Sequence, residues 1–130
     1  MHIPEACKIY LCKAEGKALA TYGLGGVSVV PVSSLKLHDN KIILVNYFFN
    51  QSLINIKQNP QVALAAWIGL EGCRIEATAE HVTSGDIFNE AVEWIAHALP
   101  DRVVKGVLIL TPTAFYDISA GPNAGSKIEA

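Results

Sequence analysis

The sequence predicts a mainly β domain of the α+β class: a six-stranded antiparallel β-barrel with two or three flanking helices. Three observations carry this expectation. Most β-rich runs follow one another through turn signals rather than through helices, which points to hairpins and not to βαβ units. The run CRIEATAEHV (73–82) alternates, with Cys73, Ile75, Ala77 and Ala79 on one face and Arg74, Glu76, Thr78 and Glu80 on the other, as in a strand with one solvated face. Helical spacing occurs in only two or three segments. Six strands of this size close readily into a small barrel, which removes exposed edges.

The elements follow in chain order. In residues 3–13, IPEACKIYLCK, Ala6, Ile9, Tyr10 and Lys13 stand near helical spacing with Pro4 at a first-turn position, so a short helix is predicted, ended by Gly16. KALATYG and GVSVVPVSS, joined by GLGG (23–26), read as a hairpin. Pro31 interrupts the second run. Proline has no N–H for a ladder, so this strand is placed at an edge or a bulge. LKLHDNK contains the turn signal Asp39-Asn40, and KIILVNYFF (41–49) is a strand apolar on both faces at its middle, suited to a barrel interior. QSLINIKQ follows as a helix with Leu53, Ile56 and Lys57 on one stripe, stopped by Asn59-Pro60. QVALAAWIGLEG (61–72) and the alternating run after it form the next hairpin. Thr83 or Ser84 is expected to cap a helix whose apolar stripe is Phe88, Ala91, Val92, Ile95 and Leu99 and which Pro100 ends. VVKGVLILTPTAFYDI (103–118) is the last strand, and SAGPNAGSKIEA is a tail rich in glycine and proline.

A chain of 130 residues is expected to form one domain, spanning 1–130. A net charge of −2 offers no footprint for nucleic acid or an anionic membrane. The apolar share of 51% in so small a chain predicts apolar surface buried between subunits, in a homodimer. No window of about 18 uncharged apolar residues is present to span a membrane. Cys7, Cys12 and Cys73 are odd in number, match no zinc spacing and follow no signal sequence, which predicts reduced thiols and a cytoplasmic location. His2, His38, His81 and His97 include no pair at i, i+4, so no metal site is expected.

FFNQSLIN (48–55) is where chemistry is most readily placed. A strand runs there into a helix, whose first N–H groups lack internal partners and whose start carries partial positive charge, a setting that holds a phosphate. Asn50 or Ser52 could add a donor; the competing reading is that they only cap the helix. The sequence shows no catalytic constellation, no P-loop and no GxGxxG, and GLGG serves a hairpin turn. Trp67 is core by default, although an aromatic side chain can also flank a planar ligand.

Three segments, ALATYGLGGVSVVPVSSLKL, KIILVNYFFNQSLINIKQNPQVALAAW and GCRIEATAE, in this order and with the tail YDISAGPNAGSKI, resemble short members of the pyridoxamine 5′-phosphate oxidase-like family of FMN-binding split barrels. The resemblance implies a split β-barrel homodimer with one FMN at each end of the interface. It puts backbone groups of Val30, Pro31, Val32 and Ser33 on the polar edge of the isoalloxazine. Tyr47, Phe48 and Phe49 would pass along the ribityl chain, and Gln51-Ser52 would meet the phosphate. Trp67, and Asn123 in the tail, complete the cofactor-binding set. The family commonly has lysine or arginine, then threonine or serine, at the phosphate. Here Ser52 keeps the hydroxyl and Gln51 lacks the charge. A charge-assisted hydrogen bond is worth roughly 1.5–3 kcal/mol, so FMN is expected to bind about tenfold to a hundredfold more weakly unless Lys36, Lys57 or a partner's arginine reaches over. The resulting expectation is an FMN-binding flavoprotein, an oxidoreductase of undetermined substrate and catalytic residues. The alternatives are a non-enzymatic flavin-binding or sensing module, or a relative holding a deazaflavin or haem. Pyridoxamine 5′-phosphate oxidation itself is not expected of a chain with only two arginines, Arg74 and Arg102. FMN is preferred over FAD because no dinucleotide fingerprint is present.

Overall fold

Eight antiparallel strands form one sheet in the computed structural model, which describes residues 1–130. They are β1 (Gly16–Gly23), β2 (Gly26–Pro31), β3 (Leu35–His38), β4 (Lys41–Asn46), β5 (Gln61–Ile68), β6 (Glu71–Val82), β7 (Gly106–Asp117) and β8 (Lys127–Ile128). Three helices accompany them: α1 (Glu5–Lys13), α2 (Gln51–Gln58) and α3 (Asp86–Ala98). The mainly antiparallel architecture is the expected one. Two short strands are added to the six expected, LKLH after the VVPVSS segment and KI in the tail. The last expected strand begins at Gly106, after a connection, and β4 stops at Asn46, leaving Tyr47 and both phenylalanines in a loop.

The sheet order is β2-β1-β5-β6-β7-β4-β3, with β8 on β7. Its two outermost strands, β2 and β3, are neighbours in sequence, joined only by Val32, Ser33 and Ser34. Laid flat, strands spaced 4.7–4.9 Å apart would put them about 28 Å from each other, whereas the four steps from Pro31 to Leu35 reach at most about 14 Å. The sheet therefore has to curl until its edges approach, and the barrel is split along that seam. Val32 N–H donates to Lys17 O at 3.0 Å and Val45 N–H to Ser34 O at 3.1 Å, which tacks the connection to both sides.

Pro31 ends edge strand β2, where no missing N–H interrupts a ladder. Pro112 lies within interior strand β7, at the place where its register with β6 shifts between Glu76 and Ala77; a bulge accommodates it for the same reason. The alternation of β6 is realised, with Cys73, Ile75, Ala77 and Ala79 buried and their alternates partly or fully exposed. They join Leu19, Leu64, Ile42, Leu44, Leu108, Leu110 and Phe115 in the main core.

Helix α1 buries a different stripe from the expected one. Cys7 and Leu11, at i, i+4, enter the core together with Ile3 just before the helix, while Ile9 is 52% exposed. Cys7 and Cys73 are both buried in this core as free thiols. Helix α3 is capped by neither Thr83 nor Ser84: Gly85 occupies the cap with φ 95°, a conformation that suits glycine. Its buried face is Ala91 and Ile95, with Ile87, Phe88 and Trp94 beside them, whereas Val92 and Leu99 turn outward. Asn59, before Pro60, is extended at φ −147° and ends α2 as expected.

Candidate functional site

The seam of the barrel opens into a cavity of about 600 Å³, within the usual range for small-molecule and cofactor sites. One wall is the end of β2 and its connection, Val30, Pro31, Val32 and Ser33; the other is the end of β4 and the loop after it, Val45, Tyr47, Phe48, Phe49, Asn50 and Gln51. Arg102 completes the lining. All four residues expected at the isoalloxazine, the three aromatics expected along the ribityl chain and Gln51 thus converge on one hollow. They do so because β2 and β4 end at the same place on the seam. Because β2 is an edge strand, one side of it forms no ladder and leaves backbone groups for another partner. The Val32 N–H is an exception, being committed to Lys17 O.

Tyr47 is buried, and its hydroxyl lies 2.7 Å from Ser34 Oγ. Phe48 is 85% exposed at the mouth, with the Lys105 ammonium 5.0 Å from its ring centre. Phe49 is fixed through its backbone: its N–H donates to Asn46 Oδ1 at 2.9 Å. That bond orients the Asn46 amide so that Nδ2 faces His81 Nε2 at 3.2 Å. The imidazole must accept there, and is therefore neutral with its proton on Nδ1.

Helix α2 begins at the cavity. Asn50 occupies the N-cap position, but neither its side chain nor that of Ser52 makes a capping bond. Ser52 Oγ is buried and has no hydrogen-bond partner, which is unusual for a buried hydroxyl. The capping role is thus not realised. Gln51 Nε2 donates to Asn55 Oδ1 at 2.9 Å, so this side chain braces its own helix. Arg102 is the one charged residue of the lining; its Nη1 donates to Ser33 Oγ at 3.0 Å and its guanidinium carbon lies 4.9 Å from the Tyr47 ring centre.

Ser52, Trp67 and Asn123 do not line this cavity. Trp67 borders a shallower hollow with Lys17 and Val29, which shares Val30, Pro31 and Val32 with it. Asn123 is exposed in a turn of the tail, where its carbonyl accepts from the Ser126 N–H at 2.9 Å. Lys36 and Lys57 are not part of the lining either; Lys36 lies over Trp94. No cluster of three metal-ligating side chains occurs, and no helix is long and apolar enough to cross a membrane.

His81 gives the site a pH dependence. Burial lowers its pKa, and the nearby charge of Lys57 lowers it further. The unfolded chain then binds this proton more readily than the folded one. Stability is full above the ordinary histidine range near 6.5 and declines as pH falls below it. Protonated Nε2 would face the Asn46 NH₂, and turning that amide would release Phe49. Urea unfolding at pH 8 and pH 5.5 is expected to give a larger loss on acidification for the wild type than for His81→Gln, which keeps an acceptor. Equal losses would remove His81 from this role.

The chain matches the family model for pyridoxamine 5′-phosphate oxidase over residues 4–119. A relative from Methanocaldococcus jannaschii, the uncharacterized protein MJ0282, is 29% identical over 119 residues, covering 85% of this chain and 77% of its own. HupZ of Group A Streptococcus is 27% identical with a TM-score of 0.81, covering 95% of this chain and 99% of the other. An FMN-binding protein of Syntrophomonas wolfei shares the fold, at 14% identity and a TM-score of 0.77, over 90% of this chain and 86% of the other. So do HutZ, the haem storage protein of Vibrio cholerae, at 12% identity and TM-score 0.69, and an F420 reductase at 18% and 0.66. The fold alone therefore does not select among these ligands. The split sheet, its placement of the VVPVSS and YFFNQS segments on one cavity, and a family match over nearly the whole chain agree: this protein belongs to the pyridoxamine 5′-phosphate oxidase family.

Proposed function

We propose that the protein is an FMN-binding flavoprotein that works as an oxidoreductase, in a homodimer with the flavin at its interface. The observation that carries this reading is the cavity on the seam, where aromatic side chains, edge-strand backbone, a cation and the start of a helix meet. Bound there, FMN would supply hydride or electron transfer. The chain's own residues would hold it: the β2 edge against the ring, Tyr47 and the backbone of Phe49 along its side chain, and the start of α2 toward the phosphate. Haem fits the lining less well. A haem iron needs an axial histidine, cysteine, methionine or tyrosine, and the lining offers only Tyr47, whose hydroxyl is engaged with Ser34. A deazaflavin has the same planar ring and remains the rival ligand to test. Unbridged Cys7, Cys12 and Cys73 support a reducing, cytoplasmic setting.

The reading is tested by titrating the purified protein with FMN, FAD, riboflavin, a deazaflavin and haem, following fluorescence or absorbance. FMN is expected to bind more tightly than FAD; no binding of FMN would sink the proposal. Turnover with a reduced nicotinamide donor then separates an enzyme from a sensing module.

Ser52→Ala separates ligation from helix capping. Removing a buried hydroxyl that has no partner is expected to leave the unliganded melting temperature unchanged or slightly raised, while FMN affinity falls about fivefold through loss of one neutral donor, about 1 kcal/mol. A lower melting temperature with unchanged affinity would assign Ser52 a structural role only.

The dimer is supported by apolar surface on the β1–β2 hairpin. Tyr22, Leu24, Val27 and Val29 are 59%, 93%, 72% and 64% exposed, and Tyr22 pairs with Val27 across the ladder. Val27 and Val29 of this patch lie on the edge strand whose end lines the cavity, so a second copy seated on it would adjoin the ligand. Light scattering at micromolar concentration is expected to give twice the chain mass of 14.0 kDa; a stable monomer would overturn the two-chain site.

A further inference from the structure

We propose that Arg102, the one charged residue of the lining, is the phosphate-selecting cation of this cavity; the proposal rests on the flavin reading above. The turn after α3 brings it there. Arg102 N–H donates to Leu99 O at 3.0 Å, closing a four-residue turn with Pro100 at its second position, where the fixed φ of proline is favoured. The turn stops the helix and carries Arg102 onto the seam. Its guanidinium is held by neutral groups alone, the Ser33 hydroxyl and the face of Tyr47. The ion pairs of the chain are Lys8 with Glu5 and His38 with Asp39, so no carboxylate neutralises Arg102.

Two of the other three cations near aromatic rings are placed elsewhere. Lys36 sits on Trp94 and Arg74 on Tyr116, and neither lines the cavity. Lys105, three residues on from Arg102, sits on Phe48 at the mouth. One connection, between α3 and β7, thus lays two positive charges over two aromatics of the site. A guanidinium has five N–H donors in a planar fork, and its bond to Ser33 uses one of them. The free donors match two oxygens of a phosphate monoester. The ligand class this favours is a flavin carrying a terminal monophosphate over the same ring system without one.

The test measures FMN and riboflavin affinity side by side for the wild type, Arg102→Gln and Arg102→Lys. Arg102 is exposed, so both variants are expected to fold, and a thermal melt checks this. Arg102→Gln is expected to weaken FMN about tenfold to a hundredfold, as for loss of a charge-assisted contact, and to leave riboflavin unchanged. Arg102→Lys is expected to recover part of the loss, because charge remains without the fork. Wild-type FMN affinity is expected to fall with added salt, and riboflavin affinity is not. Equal weakening of both flavins in Arg102→Gln would place Arg102 against the ring and overturn the proposal, as would no effect on either. If the wild type binds neither flavin, the flavin reading fails and takes this proposal with it; flavin binding with an unchanged FMN-to-riboflavin ratio in Arg102→Gln overturns the proposal alone.

Discussion

Asn55→Leu is expected to lower stability by about 2–4 kcal/mol, because it strands several buried polar groups at once. Asn55 is fully buried at 0% exposure. Its Nδ2 donates to Thr21 Oγ1 at 3.0 Å and, at 3.4 Å, to Gly26 O, and its Oδ1 accepts from Gln51 Nε2 at 2.9 Å. Leucine matches its volume but none of these bonds. Thr21, 3% exposed, would lose its donor. The same residue clasps α2 to the β1–β2 hairpin. A Cβ on Gly23 would lie 2.6 Å from Asn55 Oδ1, so the approach requires glycine. Gln58 Oε1 closes the clasp by accepting from the Leu24 N–H at 2.7 Å. Loosening it frees the start of α2 at the cavity, so FMN affinity is expected to fall at least about tenfold, the equivalent of one charge-assisted contact. Urea unfolding reads the first effect and flavin titration the second. A variant within about 0.5 kcal/mol of wild type, the range of ordinary surface changes, would show that the clasp contributes little.

Phe115→Ala is expected to cost about 3–5 kcal/mol, the usual price of truncating a buried aromatic. For a domain of this size that is a fall in melting temperature on the order of 15 °C. Phe115 is 1% exposed on β7 and pairs with Ile75 of β6 on one side and Ile128 of β8 on the other. The ring fills the core where three strands meet, and the surrounding sheet cannot collapse onto the void without breaking those ladders. It is not among the cavity residues, so the folded variant is expected to bind FMN with wild-type affinity. The pair of variants thus separates a residue that stabilises the barrel from one that also shapes the site. A Phe115→Ala protein with native stability would mean that this part of the core repacks freely.

Much of this molecule was legible in one dimension, for identifiable reasons. The alternation from Cys73 to Glu80 is preserved because β6 has one buried face, and a period of two is read directly from residue type. Asn59-Pro60 ends a helix through a clash local to the two residues. Pro31 announces an edge because its missing N–H does not depend on the rest of the fold. Residues 30–33, 47–49 and 51–52 were placed together by resemblance to a family, in two short stretches of the chain, and all but Ser52 line the cavity. What tertiary structure decided was which face meets what. In α1, a helix of nine residues, two apolar stripes compete, and only docking on the sheet chose Cys7 and Leu11 over the stripe through Ile9. In α3, Gly85 took the cap from Thr83 and Ser84 because the chain enters the helix at a positive φ. LKLH is too short to declare itself a strand; the ladder with β4 makes it one. Arg102 had no local mark beyond being one of two arginines. It stands 69 residues from Ser33 in sequence, and the two meet because a three-residue connection forces a seven-strand path to curl and the turn after α3 delivers a side chain to the seam. Contacts of that kind arise from closure of the whole sheet, and no window of sequence contains both partners.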